Sequence, residues 1–254
     1  MPSPSPRFWE VFFDVYEAIP RQGPGSRDCA ACALALCGPL PSAPTILDLG
    51  CGSGAQTLHL AELTNGTITA IDSHAPFVVT LERHLAERGL TGRVAARAGN
   101  MAAPPAAPGS VDLIWSEGAA YFLGIEQALK LWHPLLRPGG HLVFTEAVWL
   151  RPDPPAEVRE MWAKEYPAMT DIAGNLALAT RCGYEVSGHF TLPDSAWWDD
   201  FYHPMERRIA ALRPKYAGDS EALGTLASIG GEIELHRRFG DTYGYEFIVL
   251  RRGN

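Results

Sequence analysis

The sequence predicts an α/β domain built on a mostly parallel sheet. Short apolar runs alternate with amphipathic stretches from Thr45 onward. The runs are apolar at nearly every position, which is the pattern of strands covered on both faces rather than on one. A glycine-rich bend, Gly50-Cys51-Gly52-Ser53-Gly54, joins the first run to the first amphipathic stretch. Bends at the carboxyl ends of parallel strands are where such sheets bind ligands.

The elements follow in order. Residues 8–19 carry apolar side chains at helical spacing, and Pro20 ends that helix. Residues 21–26 form a Gly/Pro loop, with Ser26 or Asp28 capping a second helix that Pro39, Pro41 and Pro44 bring to a stop. Residues 1–44 are therefore expected to be N-terminal helices and a lid loop, ahead of a main domain over 45–254. Strands are expected at 45–49, 67–71, 93–97, 111–115 and 141–145, with helices at 54–63, 75–88 and 125–135. Pro152, Pro154 and Pro155 then break the pattern. Helices at 156–166 and 171–181 precede a strand at 184–192. Residues 195–237 read as mostly helical, interrupted at Pro204, Pro214 and Gly218, before a last strand at 241–251. Two helical insertions, at about 150–182 and 195–237, are thus expected on the sheet.

Composition excludes several function classes. The chain has 254 residues, 46% of them apolar, with 21 Lys+Arg against 29 Asp+Glu. That apolar content excludes disorder as the main state, and this length needs no disulfide or metal to fold. No uncharged apolar run approaches the ~18 residues of a membrane span. A net charge of −8 without a basic run suits neither DNA nor RNA. The start, Met-Pro-Ser-Pro-Ser-Pro-Arg, reads as a frayed tail and not as a secretion signal. Five cysteines without such a signal suggest reduced thiols in the cytoplasm. Cys29-Ala-Ala-Cys32 has CxxC spacing, but no second pair completes a metal site, so these are expected as small residues on the buried face of a helix.

The bend carries the chemistry. Its glycines are spaced Gly-x-Gly-x-Gly, with Asp48 two residues ahead. A dinucleotide fingerprint needs Gly-x-Gly-x-x-Gly, and a phosphate-binding P-loop needs Gly-Lys-Ser/Thr. The helix that follows offers free N–H groups and a positive dipole end. Asp72 closes the second strand, where a carboxylate can accept both hydroxyls of a ribose.

DLGCGSG at 48–54, Asp72, Gly99-Asn100-Met101, VDLIWSEG at 111–118 and LRPGG at 136–140 together resemble class I S-adenosylmethionine (SAM)-dependent methyltransferases. The resemblance covers about residues 45–146. Pro20–Ser26, Trp115–Ala119 and Tyr243-Gly244-Tyr245 are similar to a narrower, type-11-like bacterial subgroup without an assigned substrate. The resemblance implies a Rossmann-like sheet with an antiparallel last strand, SAM as cofactor and S-adenosylhomocysteine (SAH) as product. Asp48 with Gly50, Cys51, Gly52 and Gly54 would face the methionine portion. Asp72 would hold the ribose, with Ser73 and His74 beside it. Asn100 stands where the family often has an acid for the adenine amino group, and Met101 would stack on the ring. Ser116 and Glu117 would meet the methyl group and substrate. In the Gly/Pro loop itself, Arg21 and Gln22 read either as a lid contacting the cofactor carboxylate or substrate or as a surface connector.

Catalytic candidates are Glu117, as a base or a helix-capping acid, and His203 in the aromatic cluster Trp197–His203. Tyr121 and Glu146 also lie near strand ends, Glu146 reading as a loop acid. Trp149, Trp162 and Tyr166 line the cap or form its core. Methyl transfer has an activated, neutral leaving group, so placement, worth about 7–11 kcal/mol, dominates over any fixed base. A small-molecule acceptor is expected, and aromatic lining suits an amine, a cation or a flat apolar group. The alternatives are a non-catalytic SAM-binding protein and an NAD(P)-dependent oxidoreductase, the latter at odds with the glycine spacing.

Overall fold

The structure is a computed structural model that describes residues 4–253. The first three residues of the expected frayed tail lie outside it. Helix α1 (Pro6–Tyr16) starts where Ser5 accepts the Phe8 N–H, with proline in its first turn, where a missing N–H costs nothing. Helix α2 (Arg27–Leu36) starts in the same way, Ser26 accepting the Cys29 N–H at 3.1 Å. Of the CxxC pair, Cys29 is buried as expected but Cys32 is exposed.

The main sheet then alternates with helices: β1 (Thr45–Leu49), α3 (Ala55–Leu63), β2 (Thr67–Asp72), α4 (Ala75–Glu87), β3 (Val94–Ala98), β4 (Val111–Glu117), α5 (Ile125–Trp132) and β5 (Leu136–Trp149). The remainder comprises α6 (Ala156–Glu165), β6 (Thr170–Asp171), α7 (Ile172–Arg181), β7 (Tyr184–Thr191), α8 (Ser195–Trp197), α9 (His203–Leu212), α10 (Ser220–Phe239) and β8 (Tyr243–Arg252). The sheet order is β3-β2-β1-β4-β5-β8-β7, with the short β6 beside the end of β5. β8 runs antiparallel to β5 and β7, and the other pairs are parallel. Strand order reverses between β1 and β4, so the ligand crevice of such sheets falls at their carboxyl ends.

Two differences from the sequence reading bear on the site. β5 continues to Trp149 because β8 pairs with it from His141 onward. Glu146 is therefore a strand residue and not a loop acid. Pro204 does not interrupt the cap; it sits in the first turn of α9, after a π-helical turn over Trp198–Tyr202. The second core formed here gathers Val11, Val15 and Tyr16 of α1 with Phe201, Met205 and Ile233 of the later helices. α1 thus packs on the cap formed by α9 and α10, whereas α2 packs on α3 and on β7 and β8. Among the described residues no helix is long and apolar enough to cross a membrane.

Candidate active site

The glycine bend adopts the conformation its composition demands. Gly50, Gly52 and Gly54 have φ of +77°, +53° and +94°, a region costly for residues with a Cβ. The N–H groups of Gly50 and Cys51 both donate to the Ile71 carbonyl, at 2.8 and 3.0 Å. The Gly52 N–H donates to Asp72 Oδ2 at 2.9 Å, and the His74 N–H to Asp72 Oδ1 at 2.8 Å. Asp72 thus fastens the bend to the end of β2, and each oxygen keeps a lone pair for a ligand. Asp48 is fully buried, accepting from Thr57 Oγ1 at 2.5 Å and Gln56 Nε2 at 3.5 Å. Burial pushes its carboxyl up to about 7, against the pull of the Thr57 hydroxyl. Cys51 contributes backbone to the bend, its thiol being buried in the core beneath.

The loop after α1 closes over this bend. Arg21 is 3% exposed. Its Nη2 meets Glu117 Oε2 at 2.5 Å, and its Nε donates to the Gly23 carbonyl at 3.1 Å. The other Glu117 oxygen accepts from Trp115 Nε1 at 2.8 Å. Gly25 makes room for the pair: a Cβ there would lie 2.2 Å from Arg21 Nη2 and 2.6 Å from Glu117 Oε2. Gln22 Oε1 accepts the Ser53 N–H at 2.8 Å, while its Nε2 donates to the Tyr16 carbonyl at 3.0 Å. One side chain thereby ties the end of α1 to the glycine bend. Arg21 Nη1 is buried and has no partner.

The remaining predicted residues divide. Met101 flanks the bend, its sulfur 3.9 Å from where a Gly50 Cβ would stand. Asn100 is exposed, with Oδ1 accepting the Ala102 N–H at 2.8 Å. Ser73 is exposed, and His74 stacks on Phe13 with ring centroids 3.7 Å apart. Ser116 does not line the crevice: it is fully buried, and its hydroxyl donates to the Leu49 carbonyl, joining β4 to β1. Glu117 is held on both oxygens, by Arg21 and by Trp115, which places it as the partner of the lid arginine. His203 is not brought to the crevice; it is exposed at the start of α9, its ring 5.2 Å from that of Trp198. The buried histidine of that cluster is His236, which stacks on Trp197 and which burial pushes down to about 4.

Glu146 is more deeply placed than its sequence setting suggested. It is 2% exposed, neither oxygen is hydrogen-bonded, and burial pushes the carboxyl from its ordinary 4.5 to about 8. Between those values the folded chain holds a proton that the unfolded chain has released. Stability therefore falls as pH rises through that window. Glu146→Gln should raise the melting temperature at pH 8.5, with a gain that shrinks toward pH 5 in scanning calorimetry. Equal melting temperatures at pH 8.5 would show that this carboxyl is not kept from water. Glu232 was not singled out in the sequence, where it is one acid among several on a long helix.

Among the described residues, no three His, Cys, Asp or Glu side chains are arranged to hold a metal. Residues 46–140 match the family model described as a methyltransferase domain. The chain is 28% identical over 138 residues to an uncharacterised methyltransferase of Bacillus subtilis, covering 54% of this chain and 58% of the relative. It is 32% identical over 117 residues to the dimethylglycine N-methyltransferase of Parasynechococcus marenigrum, covering 44% and 41%. The chain thus spans about half the length of these curated relatives. The SAM-dependent methyltransferase of Geobacter sulfurreducens, solved with SAH, superposes with a TM-score of 0.81 at 21% identity, over 95% of this chain and 97% of that one. Residues 46–140 are thus similar to a methyltransferase domain, and the chain shares its fold with the SAH-bound Geobacter enzyme.

Proposed function

We propose that the chain transfers the methyl group of SAM to a small-molecule acceptor in the cytoplasm. The observation that carries this reading is the bend over Gly50–Gly54 fastened to Asp72, under a lid whose buried Arg21 Nη1 lacks a partner. A buried guanidinium nitrogen left unpaired is costly, and the carboxylate of a methionyl group would satisfy it. The residues present fit such a ligand. Asp72 keeps acceptor capacity for ribose hydroxyls, the flexible Gln22 side chain stands nearest to where a Gly52 Cβ would be, and Met101 offers an apolar wall. SAM supplies an activated methyl carbon on a sulfonium, whose leaving group is neutral. The protein's part is to hold the acceptor in line and to exclude water. Glu117 serves this reading as the anchor of Arg21.

Incubating the purified chain with methyl-labelled SAM and a pool of small metabolites should release SAH with label in the pool. Release of SAH only at the rate of buffer alone would favour a non-catalytic binding protein. Asp72→Ala removes the acceptor for the Gly52 and His74 N–H groups and for the ribose. It should weaken SAH binding by about 1–3 kcal/mol, the cost of unpaired polar groups, with little change in far-ultraviolet circular dichroism. Unchanged affinity in a titration would mean that Asp72 is not the ribose ligand.

A further inference from the structure

The end of β5 holds a feature that SAM binding does not use. Pairing between β4 and β5 ends at Glu117 and Thr145. Glu146 is the next residue, and both its oxygens are buried and unpartnered. Leaving an acceptor group in that state is unfavourable unless something donates to it in the working protein. The Tyr166 phenol and the Ala147 N–H both approach this carboxyl and pull toward its charged form, neither in full hydrogen-bond geometry. The Tyr121 ring lies 5.5 Å from the Tyr166 ring. Tyr245, from β8, pairs with Ala147 and so points to the other face of the sheet, toward Trp197. Tyr121 and Tyr245 both lie within electrostatic reach of two acids, Glu146 and Glu232. Glu232 comes from α10 and accepts the Tyr202 hydroxyl at 2.9 Å on Oε1, leaving Oε2 unclaimed. No lysine or arginine is among the charges acting on Glu146, Tyr121 or Tyr166.

Building on the methyltransferase reading, we propose that the acceptor is an amine, held as a small cation between the Glu146 carboxyl and the rings of Tyr121 and Tyr166. Aromatic faces attract cations through the ring quadrupole, most strongly where water is excluded. A second acid, Glu246, lies directly across from Glu146 on β8 and holds His189 on one oxygen, and the surplus of carboxyls there favours a cation. Glu146 then has a second task. A primary or secondary ammonium passes one proton to the Glu146 carboxylate, which becomes a carboxylic acid. The freed nitrogen lone pair forms the bond to the methyl carbon as the carbon–sulfur bond breaks, and the electrons of that bond stay on sulfur. The products are a methylated ammonium and a neutral thioether. Burial raises the Glu146 carboxyl to about 8 in the empty site, and a bound ammonium opposes that shift by favouring the carboxylate that accepts its proton.

The test is calorimetric titration of the whole chain with tetramethylammonium, in the presence of saturating SAH, with neopentyl alcohol as the neutral control. The cation should bind with one site per chain, and the alcohol should not displace it. Glu146→Gln should weaken the cation at least tenfold while SAH affinity stays within twofold, and Tyr166→Ala should weaken it as well. Normal SAH binding with no cation binding, or equal cation affinity in Glu146→Gln, would overturn the amine assignment alone. Failure of SAH to bind the native chain would overturn the methyltransferase reading and this assignment with it.

Discussion

Arg21→Met is expected to weaken SAH binding at least tenfold and to release the lid. The Arg21–Glu117 pair is 2.5 Å apart, and its side chains are only 4% and 3% exposed. Removing one partner of such a pair leaves the other as an uncompensated buried charge, at a cost of about 3–5 kcal/mol. Here the chain has a cheaper escape than unfolding. The loop is otherwise fastened mainly by Gln22 on Ser53 and by the Gly25 N–H on the Ala196 carbonyl. Opening the loop hydrates Glu117, so the energy of opening caps the loss of global stability. Limited proteolysis should accordingly cut between residues 20 and 26 faster than in the native chain, with a modest fall in melting temperature. Adding Glu117→Gln removes the stranded charge and should restore the melting temperature. It should not restore SAH affinity, because Nη1 is still missing. Recovery of both in the double variant would show that Arg21 serves the lid alone.

Gly50→Ala is expected to abolish measurable SAH binding and to lower the melting temperature. The residue sits at φ +77°, and its Cβ would lie 2.2 Å from the Cβ of Ala119. The Ala119 methyl has no rotamer by which to withdraw, so backbone must move. The Gly50 and Cys51 N–H groups share the Ile71 carbonyl, so that movement breaks the attachment of the bend to β2. Strain of about 1–3 kcal/mol for the conformation alone corresponds to several degrees for a domain of this size. Gly52→Ala is the informative contrast. It carries the same positive-φ strain, but its Cβ would meet the flexible end of Gln22 and no backbone, so a smaller loss is expected. A Gly50→Ala variant that melts and binds SAH like the native chain would contradict the geometry of the bend.

The fold was legible because its signals are local. Continuous apolar runs such as Thr45–Leu49, and caps such as Ser26, depend on neighbours in sequence. The bend and Asp72 were legible for the same reason: glycines at fixed spacing and an acid closing a strand. What sequence could not supply was partnership across distance. Glu117 and Arg21 are 96 positions apart, and only their contact turns a candidate base into an anchor. Ser116 looked like a crevice residue until its hydroxyl was seen on Leu49. His203 and His236 flank one aromatic cluster, and periodicity alone did not say which of them α9 and α10 would bury. Glu146 read as a loop acid because the expected strand stopped at 145, and the pairing with β8 that extends β5 to Trp149 comes from a segment about a hundred residues away.

The central claim is that the crevice over Gly50–Gly54 holds SAM. A crystal structure of the chain with SAH tests it most directly. The ligand is expected with its ribose on Asp72, its ring beside Met101 and its carboxylate on Arg21 Nη1. Clear density for SAH elsewhere on the molecule, or a glycine bend still covered by Gln22 at saturating ligand with no SAH beside it, would contradict the claim.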